Sequence, residues 1–109
     1  GFQVYVTADH GNVDAEGIGR INQGVVTEVK GERVRTYRNE TLAASVPDGI
    51  DAFQYSGAGL PLDFLPLYAN SRGAFVPVGH QVVAHGGMSV EELIVPFVKI
   101  GLMKEENAI

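Results

Sequence analysis

Short apolar runs alternate with glycine-rich and charged stretches along the first third of the chain. Residues 2–7 are continuously apolar or β-branched, which predicts a central strand buried on both faces. Residues 13–24 are rich in glycine and acidic side chains and predict a loop. Two β-rich runs, residues 25–29 and 34–38, flank the turn signal Lys30-Gly31-Glu32 and predict a hairpin.

The middle of the chain predicts one short helix, one strand and a long connection. Asn39 can cap a helix over residues 40–45, because its side chain can accept a hydrogen bond from a free first-turn amide. A strand is predicted over residues 52–55. Residues 56–78 contain several glycines and prolines among many apolar residues, which predicts a long connection that packs tightly or lies on a partner.

The last third contains the clearest local signals. Ser89 and Glu92 have the spacing of a capping box, so a short helix is predicted to begin at Ser89. Pro96 ends it, since the residue before a proline avoids helical angles, and residues 97–102 then predict a strand. The predicted fold class is α/β, with a central buried strand, a β-hairpin insertion, and a short helix followed by a strand.

The amino-acid composition argues against several classes of protein. The 109 residues include 13 acidic and 8 basic side chains, and this acidic balance disfavours a free-standing nucleic-acid binder. Cysteine is absent, which excludes disulfides and thiolate metal sites. No apolar run approaches the roughly 20 residues of a membrane span. We expect a cytoplasmic protein without a membrane partner, and a chain cut from a longer one because it opens directly on a strand.

The first candidate site follows the first predicted strand. Asp9 and His10 come where that strand ends, and ligands of open α/β sheets bind beyond such ends. Adjacent strand residues face opposite ways, so the two could share a metal only where the strand has broken, which Gly11 permits. The alternative is that Asp9 caps a turn and His10 is merely exposed.

The second candidate site is His85, followed by two glycines and the capped helix. The glycines let the backbone approach a bound group closely, although they are equally compatible with a simple turn. One carboxylate and two imidazoles suit Zn²⁺ or Mn²⁺, while a two-His-one-carboxylate iron centre uses the same residue types. His80 is interpreted as a loop-packing residue or an outer neighbour of the site.

Two further segments have open interpretations. Arg33 and Arg35 alternate with Tyr37 on one face of a predicted strand, which suggests a strip that contacts phosphate; a solvated face is the alternative. The apolar residues between positions 60 and 68 form either core or an interface.

Two strings, VYVTADHGN at residues 4–12 and HGGMSVEELIVPFV at residues 85–98, resemble the C-terminal part of the PglZ domain, a branch of the alkaline phosphatase superfamily. The intervening string GERVRTY, residues 31–37, is also similar to that branch. The resemblance covers essentially the whole chain, residues 1–109, as a single domain or fragment. It implies a fragment of an alkaline-phosphatase-like α/β/α sandwich.

The resemblance implies a metal-dependent phosphoester hydrolase with two divalent metal ions, zinc being preferred over manganese. Asp9 and His10 would bind one metal and His85 the other. The nucleophile and the remaining ligands would lie upstream in the parent protein, so no catalytic residue is assigned here and the fragment alone is expected to be inactive. The implied substrate is a phosphate ester, with a diester such as a nucleotide or nucleic acid preferred.

Domains of this kind are associated with BREX phage-resistance systems and with signalling proteins. The resemblance therefore leaves a second interpretation, a degenerate phosphatase-like domain that binds a partner through residues 60–68. An isomerase of the phosphoglycerate mutase type is a third, disfavoured by the HGGMSVEE string.

Overall fold

The computed structural model describes residues 1–21 and 28–102, which form a mixed α/β structure of several strands and two short helices. The strands and helices, in chain order, are β1 Val4–Thr7, β2 Val13–Gly17, β3 Glu28–Lys30, β4 Val34–Tyr37, α1 Glu40–Ala44, β5 Ala52–Gln54, β6 Leu65–Ala69, β7 Gly73–Ala74, β8 Gln81–Ala84, α2 Val90–Leu93 and β9 Phe97–Ile100.

β1 and β9 form an antiparallel two-stranded ribbon that joins the two ends of the described chain. The strand predicted within residues 2–7 is confirmed. The prediction that both of its faces are buried is wrong for the described residues, in which Val4, Tyr5 and Val6 are 45 to 50% exposed. β9 is the strand hydrogen-bonded to β1 within the described residues, and nothing there buries both faces of the ribbon. Continuous apolarity therefore predicted the strand but not its exposure within the described residues.

β2 lies between β7, to which it is parallel, and β8, to which it is antiparallel. The loop predicted over residues 13–24 is therefore wrong at its start. Val13, Ala15 and Gly17 face the interior while the acidic residues between them face solvent, the alternation of a half-buried strand. Small inward residues concealed this pattern, and Gly17 is required because a Cβ there would lie 2.0 Å from the Pro77 carbonyl oxygen.

The largest sheet has the strand order β3-β4-β6-β5, with antiparallel neighbours. The predicted hairpin is confirmed for β3 and β4, and residues 25–27 lie outside the described residues. Tyr37, Leu67 and Phe75 are buried together in its core. The apolar run at residues 60–68 has two parts with different burial. Its C-terminal part lies in β6 and is mostly buried, whereas Leu62 in its first part is 96% exposed. The connection predicted over residues 56–78 thus contains two strands.

Both predicted helices are present, each as a single turn or slightly more. The Asn39 side chain accepts a hydrogen bond from the Leu42 amide at 2.8 Å and begins α1. α2 follows Ser89 and leads through Pro96 into β9, as the sequence predicts. Neither helix, nor any other in residues 1–21 and 28–102, is long and apolar enough to cross a membrane. Glu92 of α2 is hydrogen-bonded to the loops that follow β1 and β8, where the candidate residues lie.

Candidate metal site

His10 and His85 are brought together although they are far apart in sequence. His10 lies just beyond the end of β1, and His85 lies directly after β8. Their imidazole rings stack, with centroids 3.9 Å apart and planes inclined by only 16°. The fold therefore joins the two sequence motifs into one cluster.

Asp9 lies beside this pair and is largely exposed. Its Oδ1 atom accepts a hydrogen bond from the His10 amide at 2.9 Å, and its Oδ2 atom lies 3.5 Å from the His10 Nε2 atom. The strand has broken here, as Gly11 was expected to allow, so adjacent residues turn their side chains to the same side. One carboxylate oxygen shapes the turn while the other faces the imidazole.

The tautomer of His10 follows from its second hydrogen bond. Its Nδ1 atom lies 2.8 Å from the Gly11 carbonyl oxygen. A carbonyl oxygen can only accept, so Nδ1 carries a hydrogen; in the neutral tautomer the lone pair is then on Nε2, the ring atom that lies 3.5 Å from Asp9 Oδ2. Metal-binding histidines commonly donate their other ring N–H to a backbone carbonyl in this way.

The donor set suits a divalent metal in chemical type but is incomplete in number. A carboxylate and two imidazoles are ligands that Zn²⁺ and Mn²⁺ both accept. Within residues 1–21 and 28–102, no group of three or more such side chains is arranged to hold an ion by itself. The described residues therefore supply at most part of a metal site.

His80, which the sequence placed among the possible neighbours of the site, lies away from the His10–His85 cluster. His80 is exposed at the opposite end of β8 from His85, which places them roughly 16 Å apart at the rise of an extended strand. The Thr7 hydroxyl donates to the Pro96 carbonyl at 2.7 Å and so helps to fasten β1 to β9.

Arg33 and Arg35 do alternate along one face, but that face is the interior. Arg33 is 2% exposed and Arg35 is 7% exposed, so the interpretation as a solvated face is wrong. Arg33 donates to the carbonyls of Ser71 and Gly73, and Arg35 Nη1 donates to the carbonyl of Ile21. A phosphate could reach Arg33 only by displacing its protein partners.

The partner that permits burial of Arg33 is Glu92, a residue that sequence reasoning assigned only to the capping box. Arg33 Nε and Nη2 both donate to Glu92 Oε1, at 3.2 and 2.7 Å. The capping contact is also present, since the Ser89 amide and hydroxyl donate to the same oxygen. The sequence offered one indirect indication of this pair, because an arginine that is buried requires an anionic partner.

Hydrogen bonding keeps Glu92 ionised in the interior. Burial by itself would raise the pKa of this carboxyl, but the hydrogen bonds from Arg33, Ser89 and the Gly87 amide outweigh it and lower the pKa to about 2. The amides of Gly87 and Ser89 at the start of α2 are thus satisfied by Glu92.

Two glycines allow the close approach of backbones around the histidines. A Cβ on Gly31 would lie 2.6 Å from the Nδ1 atom of His85, and Gly31 also has a φ of +59°. A Cβ on Gly11 would lie 1.7 Å from the Glu91 carbonyl oxygen. Each contact leaves no space for a side chain, so glycine is required at both positions.

Comparison with known proteins gives one clear result. A family model described as the BREX system PglZ alkaline phosphatase-like domain matches residues 1–100. No curated protein and no solved structure matches.

Proposed function

The chain belongs to the PglZ family of alkaline phosphatase-like domains, and from that premise we propose that it contributes part of a two-metal phosphoesterase site. Asp9 and His10 would hold one divalent ion and His85 the other. Such a metal pair would supply Lewis-acid stabilisation of the attacking and leaving oxygens of a phosphoryl group. The observation that carries the proposal is the stacking of His10 on His85 beside Asp9.

The separation of Asp9 and His10 supports a shared ion. Two ligands of one tetrahedral ion, each bonded at 2.0 to 2.2 Å, lie roughly 3.3 to 3.6 Å apart. The Oδ2 atom of Asp9 lies 3.5 Å from Nε2 of His10, within that range. With Nδ1 donating to the Gly11 carbonyl, Nε2 is the ring nitrogen of His10 left to bind an ion beside Asp9 Oδ2.

The stacking of the two imidazoles supports separate ions on His10 and His85. Donor lone pairs lie in the plane of each ring, so two nearly parallel rings do not aim at one point between them.

The fold is proposed to be one edge of an alkaline-phosphatase-like α/β/α sandwich. β1 would then be a central strand of the parent's sheet, covered by the upstream part of the parent protein. The exposed apolar side chains on β1 and β9 favour this placement, because large apolar patches on a protein surface mark contact sites. The nucleophile and the remaining ligands would come from that upstream part, so the isolated chain is expected to show negligible turnover.

The proposed substrate is a phosphate ester, with a nucleotide or nucleic-acid diester preferred over a monoester by family analogy. Zinc is proposed over manganese. The proposed setting is a cytoplasmic phage-resistance protein of the BREX type.

The test is hydrolysis of a chromogenic phosphodiester and a chromogenic monoester by the parent protein with added Zn²⁺ or Mn²⁺. His10→Ala and His85→Ala are expected to abolish metal-dependent turnover. His80→Ala is the matched control, because this histidine lies at the far end of β8, and it should retain activity. Absence of turnover with either metal in a folded parent would refute the hydrolase and favour a degenerate domain that binds a partner.

A further inference from the structure

Glu92 contacts both loops that carry the candidate ligands. Its main-chain carbonyl accepts a hydrogen bond from the Gly11 amide at 2.8 Å, one residue after His10. Its side chain accepts a hydrogen bond from the Gly87 amide, two residues after His85. A single residue therefore links the loop after β1 to the loop after β8.

The side chain of Glu92 is itself fixed from a third direction. Arg33 meets Glu92 with two nitrogens and is held in turn by the carbonyls of Ser71 and Gly73, at 2.8 and 2.7 Å. Both members of the ion pair are 2% exposed, so neither side chain has room to change conformation. Arg33 lies in the turn between Gly31 and the start of β4, and the Gly31 carbonyl accepts a hydrogen bond from the His85 amide at 2.9 Å.

The space around Gly87 is filled by this ion pair. A Cβ on Gly87 would lie 2.7 Å from Arg33 Nη2 and 2.8 Å from Glu92 Oε1. The glycine pair after His85 was expected to admit a bound group, yet the group that Gly87 approaches is the Arg33–Glu92 pair.

We propose that Glu92, with Arg33 as its counter-charge, is a positioning residue that holds the His10 loop and the His85 loop in one fixed arrangement. This inference rests on the proposed function for its metal, but the positioning of the two imidazoles does not require a metal to be bound. Displacement of a reacting group by about 1 Å can cost a hundredfold in rate, so such a link matters to a site built from separate loops.

The test compares Glu92→Gln with Glu91→Gln in the metal-free parent protein. Glu91 is the matched control, because it lies next to Glu92 on α2 but makes an exposed ion pair with Arg72. The readout is the NMR spectrum of the histidine side chains, in which stacked imidazoles shift each other's resonances. Glu92→Gln should move the resonances of both His10 and His85 and leave those of His80 in place, while Glu91→Gln should move none of them.

A second readout is the affinity for Zn²⁺ measured by calorimetry. Loss of the link should weaken binding roughly tenfold, the lower end of the effect of removing a residue that orients a ligand. Arg33→Lys is the milder variant, since it keeps the charge but loses the paired contact; it should move the same two histidines if Glu92→Gln fails to fold.

The outcomes separate this inference from the proposed function. Unmoved His10 and His85 resonances in folded Glu92→Gln, or in Arg33→Lys where Glu92→Gln fails to fold, would overturn the positioning role. Wild-type protein that binds no Zn²⁺ would refute the proposed metal site, and the histidine spectra would still decide whether Glu92 positions the two rings.

Discussion

Replacement of Glu92 by glutamine should open the segment around α2, and the size of the effect follows from the pKa of this carboxyl. The pKa falls from 4.5 to about 2 in the folded protein, and each unit corresponds to 1.36 kcal/mol. The ionised carboxylate therefore contributes roughly 3 kcal/mol at neutral pH. Removal of one partner of a buried ion pair costs about 3 to 5 kcal/mol, because the other charge is left uncompensated.

Hydrogen exchange of backbone amides at pH 7 measures this effect in the parent protein. The amides of Gly87, Leu93 and Ile94 are hydrogen-bonded around α2, and their protection should fall roughly a hundredfold in Glu92→Gln. Glu91→Gln should leave them nearly unchanged, since that side chain is exposed. Equal loss of protection in both variants would refute the assignment of the stabilisation to the buried pair.

The same carboxyl gives a pH dependence of defined sign. Its pKa is lower in the folded state, so the unfolded state binds more protons between about pH 4.5 and 2. The stabilisation is present above that interval and is lost as the pH falls through it. Protection around α2, corrected for the intrinsic exchange rate, should decline more steeply over this interval in the wild type than in Glu92→Gln, in which Glu91 with its own lowered pKa still titrates.

Three further substitutions test other parts of the structure. Gly31→Ala should displace His85, because the new Cβ would collide with His85 and Gly31 has a positive φ. The displacement should appear as loss of the stacking shift of the His85 resonances, with the His80 resonances unchanged. Asn39→Ala should destabilise α1 by about 1 kcal/mol, measured by amide exchange in residues 40–45, with Asn39→Asp as the control that retains the cap. Tyr37→Ala should cost about 3 to 5 kcal/mol by leaving a cavity in the core, seen as a lower unfolding midpoint, and a midpoint within experimental error of wild type would contradict its burial.

Local chemistry explains which elements the sequence predicts well. Asn39, the Ser89 to Glu92 box and Pro96 act on residues within one turn, so their effects can be recognised without knowledge of the fold. β2 was missed because its inward positions are occupied by small residues, which carry little hydrophobic signal.

Tertiary contacts explain what was missed. The alternation of residues placed Arg33 and Arg35 on one face of the strand but did not show whether that face is buried or exposed. The burial of Arg33 depends on its ion pair with Glu92, which is 59 positions away in the sequence. The position of Asp9 and His10 at a strand end was predictable, and that strand is present, whereas their role as ligands stays a prediction. The stacking of His10 on His85 depends on how β1, β8 and α2 meet in space.

The candidate site depends on the pairing of β1 with β9, because this pairing brings distant parts of the chain together. Thr7 and Pro96, which fasten this ribbon, are 89 positions apart. Closure of a loop of that length costs roughly 2 kcal/mol more in chain entropy than closure of a ten-residue hairpin. The sheets between these strands behave as a folded spacer that brings the two ends together. Insertions within its exposed turns should therefore be tolerated, whereas a cut between the ribbon and either histidine loop would separate the ligands.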